Sequence, residues 1–150
     1  MCARMYGRKD VFRKNNWGRE IDPGGAVPIR TEKGEFLGVW GGVPKPGERV
    51  QGFARIESLQ SKWIDKGWKP VDVVGIESFD ERNTVERNGE LVEFSMPTGH
   101  VIKGIGKVED LGQGKKIIHI KIITEPASGA VKTVHHRMPM IRKASFTEDK

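Results

Sequence analysis

Ile117-Ile118-His119-Ile120-Lys121-Ile122-Ile123-Thr124 is the most apolar run of this chain. It is short and rich in isoleucine, whose branched side chain packs well on a pleated surface, so it reads as a buried strand. Outward from it, Val101 to Val108 reads as another strand. Pro70 to Phe79 is β-branched and reads as a single buried strand. Ala26 to Arg30 and Glu35 to Trp40 form a hairpin over the Lys33-Gly34 turn. Thr84 to Met96 reads as a second hairpin, with Asn88-Gly89 as a type I′ turn. Asp22-Pro23-Gly24-Gly25 is a turn, and Gly41-Gly42-Val43-Pro44-Lys45-Pro46-Gly47 is a surface loop. Helices are few and short. Asp10 to Asn16 places Val11 and Phe12 inward. Ser58 is the expected N-cap of a helix reaching about Lys66, with Leu59, Trp63 and Ile64 on its apolar side. Pro126 to Val131 predicts one helical turn. The class is therefore α+β: mainly antiparallel strands in a barrel-like folded sheet, with a few short helices.

A chain of 150 residues, 36% hydrophobic and 31% charged, suits one domain, 1–150, with one modest core. It has no internal repeat, low-complexity tract or linker. No run of about 18 apolar residues predicts a membrane span. The early basic residues Arg4, Arg8 and Lys9 are not followed by an apolar run, so no secretory signal is expected. A single cysteine excludes an internal disulfide and fits a reducing compartment. One cysteine and four scattered histidines have no familiar zinc spacing, so no metal and no cofactor are expected. The net charge of +6 permits a polyanionic partner such as nucleic acid, although an ordinary basic protein would carry it too.

Two motifs at opposite ends carry the chemistry. Cys2 follows Met1, and removal of the methionine would expose an N-terminal nucleophile. Val134-His135-His136-Arg137-Met138-Pro139 puts a histidine at what reads as the end of a buried strand, with His136 directed to the opposite face. Between them, Ile21-Asp22-Pro23 with Val27-Pro28-Ile29 resembles an "IAP…VPV" segment. Trp40-Gly41-Gly42-Val43-Pro44 resembles "WGLVP", and Phe53-Ala54-Arg55-Ile56-Glu57 resembles "NARAE". Ser78-Phe79-Asp80-Glu81 resembles "GFYE". Ile122 to Ala127 leading into His135 to Pro139 resembles "ILTTxA…HDRMP". In this order the motifs resemble the SOS-response-associated peptidase family, the abasic-site processing proteins, and the chain is similar to a compact, phage-type member. It departs from the pattern at Phe53, where the family has asparagine, and at Asp80 and Arg82, which flank the motif acid where the family has an aromatic residue and a tryptophan.

The resemblance implies a DNA-repair protein that crosslinks itself to abasic sites in single-stranded DNA. It implies Cys2, Glu81 and His135 as the catalytic residues: the thiol and amine that trap the sugar aldehyde, a proton-shuttling acid, and an imidazole that polarises the sugar. Removal of the first residue by the protein itself, and slow self-reversal of the crosslink, would be part of the same activity. Arg55 and Arg137 are expected on the phosphates. Trp40, or Val43 and Pro44 at the loop tip, would stack on bases beside the lesion. The implied setting is the cytoplasm and nucleoid of a bacterial or phage-infected cell, with the protein a monomer. Two other classes remain open. One is a DNA-binding module on the same fold without the chemistry, and the other is an N-terminal-cysteine peptidase. Each of these site residues has a plain structural reading as well: a frayed terminus for Cys2, a surface acid for Glu81, core packing for Trp40, a salt bridge for either arginine.

Overall fold

Ile120 and Ile122 are fully buried and share one cluster with Val27, Ile29, Trp40, Val71, Val73 and Ile102. Alternation along a strand turns every second residue to the same face, so these positions define the inside of a closed sheet. The computed structural model describes residues 2–146. In chain order the elements are β1 (Cys2–Gly7), α1 (Lys9–Lys14), β2 (Glu20–Ile21), β3 (Ala26–Thr31), β4 (Gly34–Trp40), β5 (Phe53–Arg55), α2 (Leu59–Lys62), β6 (Lys69–Val73), β7 (Ile76–Arg82), β8 (Leu91–Ser95), β9 (His100–Gly112), β10 (Lys115–Pro126), β11 (Arg137–Pro139) and β12 (Ile141–Lys143). The pairings β4–β3, β3–β6, β6–β9, β9–β10 and β10–β4 close a five-stranded barrel. Closure demands a close approach at Gly38, where a Cβ would lie 2.4 Å from a side-chain carbon of Ile120. A second antiparallel sheet, in the order β2-β1-β7-β8, packs on the barrel through Met5, Ile21, Ile76 and Phe79. The class is mainly β with two short helices among the described residues, as the sequence predicts.

The other face of β10 builds a second cluster. His119, Lys121 and Ile123 are buried outside the barrel, beside Ala54, Trp68 and Ile105. The Lys121 ammonium lies 4.6 Å from the Trp63 ring centroid and donates to the Gln51 carbonyl at 2.8 Å. Burial pulls its pKa down to about 8. His119 also reaches the Gln51 carbonyl, through Nε2 at 3.1 Å, while its Nδ1 meets Glu109 at 2.6 Å. Two buried side chains thus clamp the far end of the loop after Trp40.

Several expectations need correction. Pro70 to Phe79 is not one strand. It breaks at Val74-Gly75, where Gly75 takes φ +72°, and its halves belong to different sheets. The second hairpin runs from Ile76–Arg82 to Leu91–Ser95, so residues 84–87 lie in its connecting loop. Asn88-Gly89 is not a type I′ turn. That turn needs positive φ at both central residues, and here Arg87 and Gly89 are positive. The pair that meets the rule is Gln113-Gly114, at φ +55° and +75°, between β9 and β10. Ser58 makes no capping hydrogen bond, and its helix is a broken series of short turns between Ile56 and Lys66. The turn after Pro126 is a 3-10 turn over Gly129–Thr133. No helix is long and apolar enough to cross a membrane among the described residues.

Candidate active site

The pairing of β1 with β7 brings the two ends of the proposed chemistry together. Met5 faces Phe79, Arg4 faces Asp80, and Cys2 faces Glu81. Three residues of β7 therefore oppose four of β1, and Ala3 is the extra one, a β-bulge. Its effect follows from alternation. Without the bulge Ala3 would lie opposite Glu81, and Cys2 would turn to the face that carries Arg4 and Tyr6. With it, Cys2 sits on the core face at 2% exposure and joins the cluster that holds Met5 and Phe79. Directly opposed residues in an antiparallel pair have Cβ atoms about 5 Å apart. On the other face Arg4 pairs with Asp22 at 2.7 Å, and the Tyr6 hydroxyl donates to Asp80 at 2.6 Å. The short strand is thereby pinned on both sides. Deleting Ala3 should remove the bulge and leave Cys2 opposite Glu81 in a regular pair, still on the core face. Its reaction with a thiol reagent should then stay as slow as in the parent, and a rate approaching that of a free cysteine would show that Ala3 is not the extra residue.

Glu81 is fully buried. Burial pushes its carboxyl up to about 7, against the opposing pull of the chain's α-amino group. Burial also raises the Cys2 thiol, and the neighbouring Glu81 charge adds to the effect. At neutral pH the thiol is therefore an S–H that needs a proton acceptor, and the carboxyl beside it is poised to exchange protons.

His135 enters from the other end of the chain. Thr84 and Val85, just past β7, donate backbone hydrogen bonds to the Val134 carbonyl at 2.9 and 3.3 Å. These bonds tie His135 to the end of the strand that carries Glu81. His135 is buried and His136 exposed, but their rings stack at 4.6 Å instead of facing opposite ways. The expected alternation fails because both lie in a turn between the 3-10 segment and β11. Burial holds the His135 pKa down, so the ring is neutral, and the α-amino charge acts in the same direction. The Arg137 backbone N–H donates to His135 Nδ1 at 3.0 Å. An amide can only donate, so where this bond forms Nδ1 accepts and the ring proton sits on Nε2; the Arg137 carbonyl, 3.2 Å from Nδ1, is the partner of the other tautomer. With the amide bound, His135 offers an N–H donor.

The expected DNA contacts divide. Trp40 is fully buried, and its indole donates to the Gly52 carbonyl at 3.0 Å. It is a core residue and cannot stack on a base. Arg137 is buried too. It holds Glu57 through both carboxylate oxygens at 2.7 and 3.0 Å and the Thr124 carbonyl at 2.8 Å. The phosphate role expected for it is corrected, because its guanidinium is already enclosed. Arg55 is 68% exposed with one long contact to Glu57, and Val43 and Pro44 are exposed at the loop tip. Those three remain available to a polyanion. Phe53, at the position of the family's asparagine, packs edge-to-face on Trp40 at 5.8 Å.

Sequence reasoning missed Glu57 and Thr124 as partners of Arg137, and Lys121 as an anchor of the loop. A lysine alternating with isoleucines inside the most apolar strand was the available signal. Among the described residues, no three His, Cys, Asp or Glu side chains gather as a metal site would require.

No family model matches the chain, and no curated protein does. Among solved structures, the chain is similar to a protein from Bordetella bronchiseptica determined by X-ray crystallography in a structural-genomics effort. The two share 17% identity with a TM-score of 0.70, over 93% of this chain and 83% of the other. That likeness supports the fold.

Proposed function

We propose that this protein traps abasic sites in single-stranded DNA through Cys2, after Met1 is removed, and so shields the lesion. The observation that carries the reading is the register of Cys2 directly opposite a buried Glu81, with His135 bound to the end of the same strand. The Cys2 amine adds to the sugar aldehyde to give a carbinolamine. Glu81, protonated, gives its proton to the hydroxyl, which leaves as water and forms the iminium. The resulting carboxylate takes the thiol proton, and sulfur closes on the same carbon. A neutral thiazolidine forms and Glu81 regains its proton. The Nε2–H of His135 donates to a sugar oxygen and favours the open aldehyde. Arg55, Val43 and Pro44 would hold the strand beside the lesion. The reduced thiol this requires agrees with a cytoplasmic, nucleoid-associated setting.

A second reading is a single-stranded DNA-binding module without covalent chemistry. The apolar packing of Phe53 on Trp40 favours it, since an asparagine's hydrogen bond is lost there. One experiment separates the two. A single-stranded oligonucleotide carrying one abasic site is incubated with protein whose intact mass shows Met1 gone, then run on a denaturing gel. A shifted band that disappears with Cys2→Ala and with undamaged DNA is the expected result. Retained binding without a band would establish the module.

A further inference from the structure

The Arg137 guanidinium is buried among groups that take no part in the proposed chemistry. Its two terminal nitrogens reach both oxygens of Glu57, and one of them also reaches the Thr124 carbonyl and hydroxyl, at 2.8 and 3.2 Å. Its Nε–H is buried as well, and the described residues offer it no acceptor. No edge of the guanidinium is open to a phosphate oxygen. The same residue's backbone N–H donates to His135 Nδ1. The Arg137 carbonyl lies 3.2 Å from that nitrogen. Nδ1 can serve one of these groups at a time, and which one is satisfied decides where the ring proton sits. The turn from Val134 to Arg137 belongs to no strand until Arg137 begins β11, a strand of only three residues. Backbone hydrogen bonds hold the turn at Val134, His135 and His136. The Arg137 side chain reaches across to Glu57, next to β5, and to Thr124 on β10, and these anchors fix where the amide points.

We propose that Arg137 is a positioning residue for His135: its ion pair with Glu57 and its bonds to Thr124 hold the backbone amide on Nδ1, and so select the Nε2–H tautomer. The proposal deepens the reading of Cys2, Glu81 and His135 as one site and rests on it for its catalytic consequence. The tautomer itself is measurable with no DNA present.

Two substitutions test it with opposite signs for the competing role. Glu57→Gln keeps the shape of a half-exposed side chain and removes the charge that holds Arg137. Arg137→Gln removes the other partner. Imidazole nitrogen shifts of His135 in 15N-labelled protein should show the pure Nε2–H form in the parent. Both variants should give a tautomer mixture, and adduct formation should slow on the order of tenfold to a hundredfold. The salt dependence of binding to undamaged single-stranded DNA should stay the same in both. A phosphate contact would behave otherwise. Its loss in Arg137→Gln would make the slope shallower by about 0.7, and Glu57→Gln would free the guanidinium and tighten DNA binding. Either of those results, or an unchanged tautomer in both variants, overturns the proposal. If the parent forms no adduct at all, the proposed function fails, while the nitrogen shifts still decide the role of Arg137.

Discussion

Glu81→Gln should abolish the covalent adduct and, above pH 7, make the fold more stable. The two effects have one origin. A glutamate in the unfolded chain titrates near 4.3, whereas burial holds Glu81 at about 7 in the folded protein. Between those values the folded state binds more protons than the unfolded state, so stability falls as pH rises through this window. Above pH 7 the cost levels off at no more than about 4 kcal/mol, since each tenfold change in proton affinity is worth about 1.4 kcal/mol. Glutamine keeps the volume and does not ionise, so the variant escapes that cost. Urea denaturation at pH 8 should show a higher midpoint for the variant with an unchanged slope, and the gap should close by pH 4. An equal gap at both pH values would mean that the carboxyl does not titrate in the fold. Retention of the adduct would remove Glu81 from the proton cycle.

Trp40→Ala should cost about 3 to 5 kcal/mol, the range for deleting a large buried aromatic side chain. Domains of this kind hold roughly 5 to 15 kcal/mol in total, so the variant should be partly unfolded at 37 °C. Trp40→Phe should be milder: it keeps most of the apolar contact and loses the indole hydrogen bond to Gly52. Chemical denaturation of both variants, read by circular dichroism, checks the order. A surface tryptophan used only for base stacking would give the reverse pattern. Its removal would leave stability within about 0.5 kcal/mol and would weaken DNA binding.

What could be read from the residues depended on how local the deciding physics is. Ile117 to Thr124 announces a strand because its side chains carry the signal themselves. The hairpin across Lys33-Gly34 is legible for the same reason. Pro70 to Phe79 misled because its β-branched residues are continuous, while the break depends on one glycine conformation and on two different partner sheets. Trp40 and Arg137 were assigned outward because a motif position says which residue is present and not which way it points. Only the barrel closing around Trp40, and Glu57 arriving beside Arg137, decide that. The bulge at Ala3 was invisible for a stricter reason. It is a mismatch between two strands separated by most of the first half of the chain, and no window around Ala3 contains the partner that reveals it. Cys2, Glu81 and His135 were named from motifs, yet their convergence is a property of the pairing.

That same separation sets a clock during synthesis. The strand that shelters Cys2 is made almost 80 residues after it. At roughly 5 to 20 residues per second, the ribosome leaves Cys2 without its partner for about 4 to 16 seconds. An aminopeptidase would meet an open, unpaired terminus in that interval. Once Glu81 is in place, Cys2 is buried on the core face of its sheet. Under the proposed function, the fold would divide its own history into a period when the nucleophile can be unmasked and a later one when it is kept from stray reagents.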